Sequence, residues 1–359
     1  MATVSSTGFP AAAGWNNLPN GDFVPAVFSK KVQKVFRKES VVEDITNSDY
    51  FGEIANMGDT VKILKEPEIV VRPLQRGTQI ITQALNDEDF SLIVDQSNYF
   101  AFEMDDIEKQ QAHVEWMDMA SNRAAYRMRD RYDAEVLAYL TGYTPVYDSQ
   151  GTITSYTART ASAGEAAWST AAADELFAAN KLTRATFVAG GSSSESVAVG
   201  TDGTFDVTPL KIMNRVLRLM NVNNVPQEGR WCVVDPVFAE ILMDENSKLI
   251  NNDYNPGANQ LTNGKLAEKQ IRGFTIYQSN NLPFVGTGAS TADNNGSSAN
   301  YGVIMFGHKS SVATAQQLTQ TEKFRSQDFF GDVCRGMHLY GRKILRPEAL
   351  FRVWYNINA

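Results

Sequence analysis

The sequence predicts an α+β protein built around one very long helix, and three stretches carry that prediction. Between Thr60 and Met104, short β-prone runs are interrupted by Pro67, Pro73 and Gly77, residues that end strands and make turns. From Ile107 to Leu140, apolar residues recur at helical spacing without a break. After Pro209, short helices and strands alternate: "PLKIMNRVLRLMNVNNVP", "RWCVVD", "PVFAEILMDE", "GFTIYQSNNLP" and "YGVIMFG".

In chain order, residues 1–22 read as a flexible polar arm, lacking the basic and apolar regions of a secretory signal. "FVPAVFSKKVQKVFRKESVVEDITN" then sets Val27, Phe28, Val32, Val35 and Phe36 near helical spacing, with Lys30, Lys31, Lys34, Arg37 and Lys38 on the remaining surface. This is a short basic amphipathic helix, packed either on its own domain or on a neighbouring subunit or acidic partner. The strand-like runs Thr60–Leu64, Ile69–Arg72 and Gln79–Thr82 carry too many charges for a two-sided core. Asp59 to Leu85 is therefore expected to form a long β-hairpin projecting from the body. Residues 90–104 follow as two strands of a compact sheet, with Phe90, Leu92 and Val94 on one face and Tyr99, Phe102 and Met104 in the continuation.

Asp105 or Asp106 is a good N-cap for a helix beginning at Ile107, and Glu108 adds negative charge to its first turn. The pattern stops at Gly142, with Pro145 just beyond. About 35 residues at ~1.5 Å each give a rod of roughly 50 Å. Its apolar stripe is narrow (Ile107, Val114, Met117, Ala124, Met128, Val136, Leu137, Leu140). Glu108, Lys109, Glu115, Asp118, Arg123, Arg127, Arg129 and Asp130 line the opposite side, which is expected to stay open to water or to other subunits.

Residues 146–207 are rich in Thr, Ser, Ala and Gly and read as an exposed insertion or surface strands and loops. The helix after Pro209 puts Leu210, Met213, Val216, Leu217 and Met220 on one face, with Pro226 beyond its end. Polar loops occupy 244–264 and 286–300, and the tail "GDVCRGMHLYGRKILRPEALFRVWYNI" alternates as a strand returning to the early sheet. No internal repeat is present.

Composition excludes several classes. A chain of 359 residues, 43% apolar and 21% charged, has the ordinary balance of one large or two moderate globular domains, without an apolar run of membrane-spanning length. A net charge of −8 argues against a nucleic-acid reader, though not against a protein that encloses nucleic acid without gripping it. Cys232 and Cys334 lie far apart in apolar stretches and read as buried free thiols in a reducing compartment. His113, His308 and His338 form no metal-ligand spacing, and His113 reads as a surface or subunit-contact residue. "GANQLTNGKL" fails as a phosphate loop, because six residues separate Gly257 from Gly264 and Leu266 stands where a Ser or Thr must hold the metal. Asn295-Gly296-Ser297 fits a glycosylation sequon but carries little meaning without a signal peptide. The Asp105–Asp106 pair, or a cleft that adds Glu108, would be the place for acid–base or metal chemistry in an enzyme, but helix capping explains the pair. No catalytic, cofactor-binding or metal-binding residue is assigned.

The stretch "NYFAFEMDDIEKQQ", preceded by "FVPAVFSKKV", "NSDYFGEI" and "GDTVKI", resembles the major capsid (coat) proteins of tailed bacteriophages, of the Hong Kong ninety-seven-type fold. The order of elements also matches, except over 146–207. The resemblance implies an N-terminal arm over 1–48 and an extended β-hairpin loop over 58–87 that lies on a neighbouring subunit. It implies a peripheral domain from 49–57, 88–145 and 311–359, including a spine helix over 105–141, and an α/β axial domain with its junction helix over 208–310. It further implies self-assembly as hexamers and pentamers into an icosahedral shell around double-stranded DNA, through a procapsid that expands on maturation. The implied partners are a separate scaffolding protein, a portal and, on the outside, a decoration protein, with no membrane and no cofactor. Some members crosslink a hairpin lysine to a neighbour's asparagine; Lys62 and Lys65 lie in or near the hairpin, but no matching asparagine or glutamate is found, so no crosslink is expected. A bacterial nanocompartment shell of the same fold is the related alternative, and a soluble enzyme built on Asp105, Asp106 and Glu108 the unrelated one.

Overall fold

The computed structural model describes residues 40–49, 60–64, 69–74, 76–77, 79, 82–84, 89–107, 116–159, 176–200, 206–242, 261–262, 265–266, 271–285, 301–326 and 330–357. In chain order the strands are β1 (Thr60–Leu64), β2 (Asp89–Ile93), β3 (Gln96–Asp105), β4 (Tyr143–Tyr147), β5 (Ile153–Ala158), β6 (Lys181–Leu182), β7 (Val197–Ala198), β8 (Arg230–Val234), β9 (Leu261–Thr262), β10 (Lys265–Leu266), β11 (Thr275–Gln278), β12 (Phe284–Val285), β13 (Tyr301–His308), β14 (Val312–Arg325), β15 (Gly331–Ile344) and β16 (Phe351–Asn356). Four α-helices matter for the argument: a short one at Val42–Ile45, the long helix Trp116–Thr141, the junction helix Pro209–Val222 and a two-turn helix at Pro236–Leu242.

Two sheets organise the chain. An antiparallel three-stranded sheet runs in the order β14-β15-β3. A seven-stranded mixed sheet runs β11-β8-β13-β16-β6, with β12 added on β13 and β7 on β16. Alternation within β8 and β13 shows why the second sheet is covered on both faces. Cys232, Val234, Ile304 and Phe306 pack under the junction helix with Ile212, Met213, Val216 and Phe238. Their neighbours Trp231, Val233 and Met305 turn the other way, into a core shared with Val136, Leu137 and Leu140 of the long helix. Strands buried on both faces read as continuous apolar runs, as "RWCVV" and "GVIMF" do.

The long helix ends as expected, with Gly142 in the left-handed region at φ 81° and its N–H on the Tyr139 carbonyl. Its described length is 26 residues, about 39 Å at 1.5 Å per residue. Asp105 ends β3, and its side chain accepts the Ile107 N–H in the capping role expected of it; Asp106 and Ile107 are helical, and residues 108–115, with Glu108 and His113, lie outside the described residues. The expected open, charged side holds only for the first half. From Tyr132 to Tyr143 every residue is buried, Asp133 and Glu135 included, because both sheets close on this half of the rod.

Three further expectations are revised. The hairpin is real at its base, where β1 pairs with β2 from Thr60↔Ile93 to Leu64↔Asp89, so residues 89–93 are its return limb rather than a strand of the compact sheet. Among the described residues beyond that base, 69–74 form no strand; Val70 N–H donates to the Gln83 side chain at 3.0 Å. The reading of 146–207 as a surface insertion fits the β4–β5 hairpin but not its second half. Leu182, Val197 and Val199 are buried, and β6 and β7 both pair in parallel with β16. These strands are two residues long, too short for periodicity to reveal. Finally, the tail divides. β15 returns to β3 as expected, but β16 enters the middle of the seven-stranded sheet beside β13. The junction helix differs only in detail, with Ile212 added to the buried face and Leu210 and Leu217 partly buried.

Candidate functional site

The densest convergence of buried polar side chains lies where the second half of the long helix meets both sheets. Asp133 is fully buried. Its Oδ1 accepts the N–H groups of Val41 at 2.9 Å and Val42 at 3.0 Å and the Ser40 hydroxyl at 3.0 Å. These are the orphan donors at the start of the short helix Val42–Ile45, whose own N-cap, Val41, has no side chain to offer. Asp133 Oδ2 accepts from the Asn281 amide at 3.0 Å, and Asn281 also donates to Asp130 at 2.9 Å. One carboxylate thus ties the segment 40–45, the long helix and the loop after β11 together.

Glu135, two residues on, is the second hub. Its Oε2 accepts from Asn98 on β3 at 2.8 Å and from the Tyr340 hydroxyl on β15. Its Oε1 accepts from Arg131 at 2.9 Å and from the Tyr147 hydroxyl on β4 at 3.2 Å. Burial by itself pushes this carboxyl's pKa up; the donors Tyr340, Asn98 and Arg131 outweigh it, and Glu135 is held below the usual range. His338 packs against Tyr132 and Tyr340, and burial keeps it below the ordinary histidine pKa, with Glu135 partly offsetting that.

Arginines close the end of the helix. Arg342 donates to the Glu135 carbonyl at 2.7 Å and Arg352 to the Thr141 carbonyl at 2.6 Å. Arg159 and Arg342 lie over the Tyr139 ring, 4.3 and 4.8 Å from its centroid. Positive charge near a helix C-terminus complements its dipole, and Arg352 satisfies the Thr141 carbonyl, one of the last four that lack an intrahelical partner.

The residues singled out in the sequence do not come together. Asp105 accepts the Ile107 N–H at 3.0 Å, a local cap, while Asp106 is engaged bidentately by Arg325. His308 sits at the end of β13, bonded to Ser310 and to the Glu228 carbonyl, far along the chain from His338 on β15. Cys232 and Cys334 are free thiols, both buried as expected, in different sheets; burial pushes the Cys232 thiol up. Lys62 lies on β1, and Leu266 on β10; Lys65, Gly257 and Gly264 fall outside the described residues. Among the described residues, no group of three or more His, Cys, Asp or Glu side chains could hold a metal ion, and no helix is long and apolar enough to cross a membrane. A cavity of about 350 Å³ between the long helix and the β4–β5 hairpin is lined by residues including Tyr99, Arg127, Arg131, Tyr147, Tyr156 and Asn281.

Every carboxylate oxygen at the two hubs accepts at least one donor, which ties the elements that supply them to the long helix. A family model described as phage capsid protein matches residues 92–353, and the chain belongs to that family. Solved chains of the same fold include one from Mycobacterium phage Che8 (22% identity, TM-score 0.65, 94% of this chain and 98% of that one). The capsid of Ralstonia phage GP4 gives 11% identity and TM-score 0.63 over 97% of this chain and 98% of that one. The capsid of cyanophage P-SCSP1u gives 17% identity and TM-score 0.62 over 94% of each chain. No curated protein sequence matches.

Proposed function

We propose that this capsid protein is the repeating subunit that closes, as hexamers and pentamers, into an icosahedral shell around packaged double-stranded DNA. The single observation that carries this is the family match over 92–353, more than two thirds of the chain. The acidic balance of 33 basic against 41 acidic residues supports a wall that contains DNA without trapping its phosphates. The proposed route is a procapsid built on a separate scaffolding protein, with a portal, that expands on maturation, and with a decoration protein on the outside. The domain scheme follows the same reading, with the hairpin 58–87 lying on a neighbouring subunit and the axial domain over 208–310 gathered near the five- and six-fold axes. An enzymatic alternative at Asp105 and Asp106 is disfavoured by their engagement with the Ile107 N–H and with Arg325.

Electron microscopy of the expressed chain, alone and with a candidate scaffolding protein, tests the proposal. Closed shells or hexameric rings are expected. A monodisperse small particle at every concentration and salt would refute it, and closed shells holding an enzyme cargo instead of DNA would move the function to a nanocompartment.

A further inference from the structure

The junction helix carries a charged face that the described residues leave unanswered. Ile212, Met213, Val216 and Met220 turn one side of Pro209–Val222 into the core under the seven-stranded sheet. On the opposite side Lys211, Arg215 and Arg218 follow one another at i, i+4 and i+7, the spacing of a single helical stripe. Asn214 lies on the same stripe; it, Lys211 and Arg218 are exposed, and Arg215 is half-buried. The helix holds no acidic residue, in a chain where acids outnumber bases 41 to 33. Among the described residues none of the three cations has an ion-pair partner, and the Arg215 Nε is turned from water without an acceptor. The adjoining helix Pro236–Leu242 offers one exposed acid, Glu240, which pairs with none of them. Like charges three and four residues apart cost a helix stability, so a stripe of one sign is the footprint of an oppositely charged partner.

Spacing and composition select a polyphosphate. Lys211 to Arg218 spans seven residues, about 10.5 Å along the helix axis at ~1.5 Å each. Phosphates of one duplex strand rise by about 3.4 Å, so the stripe covers roughly three of them. Lys, Arg and Asn side chains are the ones that hold phosphate oxygens without reading sequence. We propose that this stripe faces the lumen and contacts the phosphate backbone of the enclosed duplex in every copy of the subunit. This rests on the shell reading; it names the surface that the DNA meets and, with it, the inner side of the wall. Confinement to three cations reconciles the contact with the acidic balance of the whole chain. Three phosphates at about 0.9 counterions each give a salt slope near −2.7, so the contact weakens roughly 40-fold between 50 and 200 mM salt. Contacts of that kind order the outer layer of DNA without trapping it.

Fluorescence anisotropy of a short labelled duplex against the unassembled subunit tests the contact. Wild type should bind with a slope of log K against log salt near −2.7, and the triple change Lys211→Ala, Arg215→Ala, Arg218→Ala should weaken binding at least about tenfold and flatten the slope. The double change Arg215→Lys, Arg218→Lys should keep both, since charge rather than shape carries the contact. Removing three exposed cations elsewhere, Arg72, Arg127 and Lys309, should alter binding by no more than about twofold. In closed particles, Lys211→Cys should resist a maleimide carried on a polymer too large to enter, and react once the particles are opened. A triple variant that binds duplex as wild type does overturns the proposal and, where particles form, leaves the shell reading intact. Labelling of Lys211→Cys in closed particles, or tighter binding of a poly-glutamate peptide than of duplex, overturns it in the same way, the latter by giving the stripe to an acidic polypeptide. Failure of the wild-type chain to form particles under any condition overturns the shell reading, and the lumen-facing contact with it.

Discussion

Replacing Asp133 with Ala should be the most damaging single change in the long helix that removes no apolar packing. The side chain accepts from Val41 N–H, Val42 N–H, Ser40 Oγ and Asn281 Nδ2, all at 2.9–3.0 Å and all but Ser40 in buried surroundings. Loss of a capping acceptor costs about 1 kcal/mol. Leaving further buried donors without an acceptor costs about 1–3 kcal/mol each, and such terms do not add in full. A total of about 3–5 kcal/mol is expected. Asp133→Asn should cost about half as much: Oδ1 can still cap the short helix, but the new NH₂ faces the Asn281 amide, donor against donor. Urea denaturation of the unassembled subunit measures the loss, and hydrogen exchange at the Val41 and Val42 amides localises it. If D133A costs under about 1 kcal/mol, or those two amides exchange as in wild type, Asp133 does not hold the junction and the argument fails.

Three further outcomes follow from the same geometry. A Cβ at Gly336 would sit 2.4 Å from the Phe100 ring, and one at Gly341 would sit 2.4 Å from the Ile93 carbonyl oxygen. Gly336→Ala should cost about 1–3 kcal/mol in urea titrations and Gly341→Ala more, since a ring can rotate away and a backbone carbonyl cannot. Asp235, buried and bonded to the Tyr355 hydroxyl and the Phe238 N–H, is pushed by burial from its ordinary 3.8 to about 6, against those two donors. Folding therefore favours its protonated form: this contribution is full below about pH 4 and is lost as pH rises through about 6, amounting to about 3 kcal/mol. The stability difference between wild type and Asp235→Asn should accordingly change across pH 4–6, and a flat difference would contradict it. Arg325→Ala, removing a solvent-screened pair with Asp106, should leave the urea midpoint of the subunit essentially unchanged, and a clear drop would contradict this.

What the sequence could disclose depended on how far each pattern ran. The junction helix, with Met213, Val216 and Met220 on one face, and the strands "RWCVV" and "YGVIMFG" were legible because each buries a regular face over several residues. Gly142 marked the helix end because only glycine takes φ 81° there without strain. β6 and β7 were illegible, since two residues carry no period and their burial comes entirely from β16, some 170 residues later in the chain for β6. The hubs failed to show for a different reason. Asp133 and Glu135 look like two more charges on an already charged rod, and their donors (Ser40, Asn98, Asn281, Tyr340) are scattered over the whole chain. The one local hint was the apolar run "VLAYL" after them, denser than a single stripe requires.

Why a shell subunit should place two carboxylates at this point, rather than more leucine, can be argued from direction. Apolar contacts stabilise the junction but tolerate sliding, since they have no preferred angle. A carboxylate holding four donors, drawn from two other elements at Asp133 and three at Glu135, is satisfied in only one arrangement, and any slip leaves a buried acceptor short of a partner. Glu135 fixes the long helix against β3, β15 and β4, and Asp133 fixes it against segment 40–45 and the seven-stranded sheet's loop. In an isolated domain a few degrees of freedom between two sheets would cost little. In a closed shell the same error recurs in every copy and accumulates around the ring, so angular definition matters more than the last increment of stability.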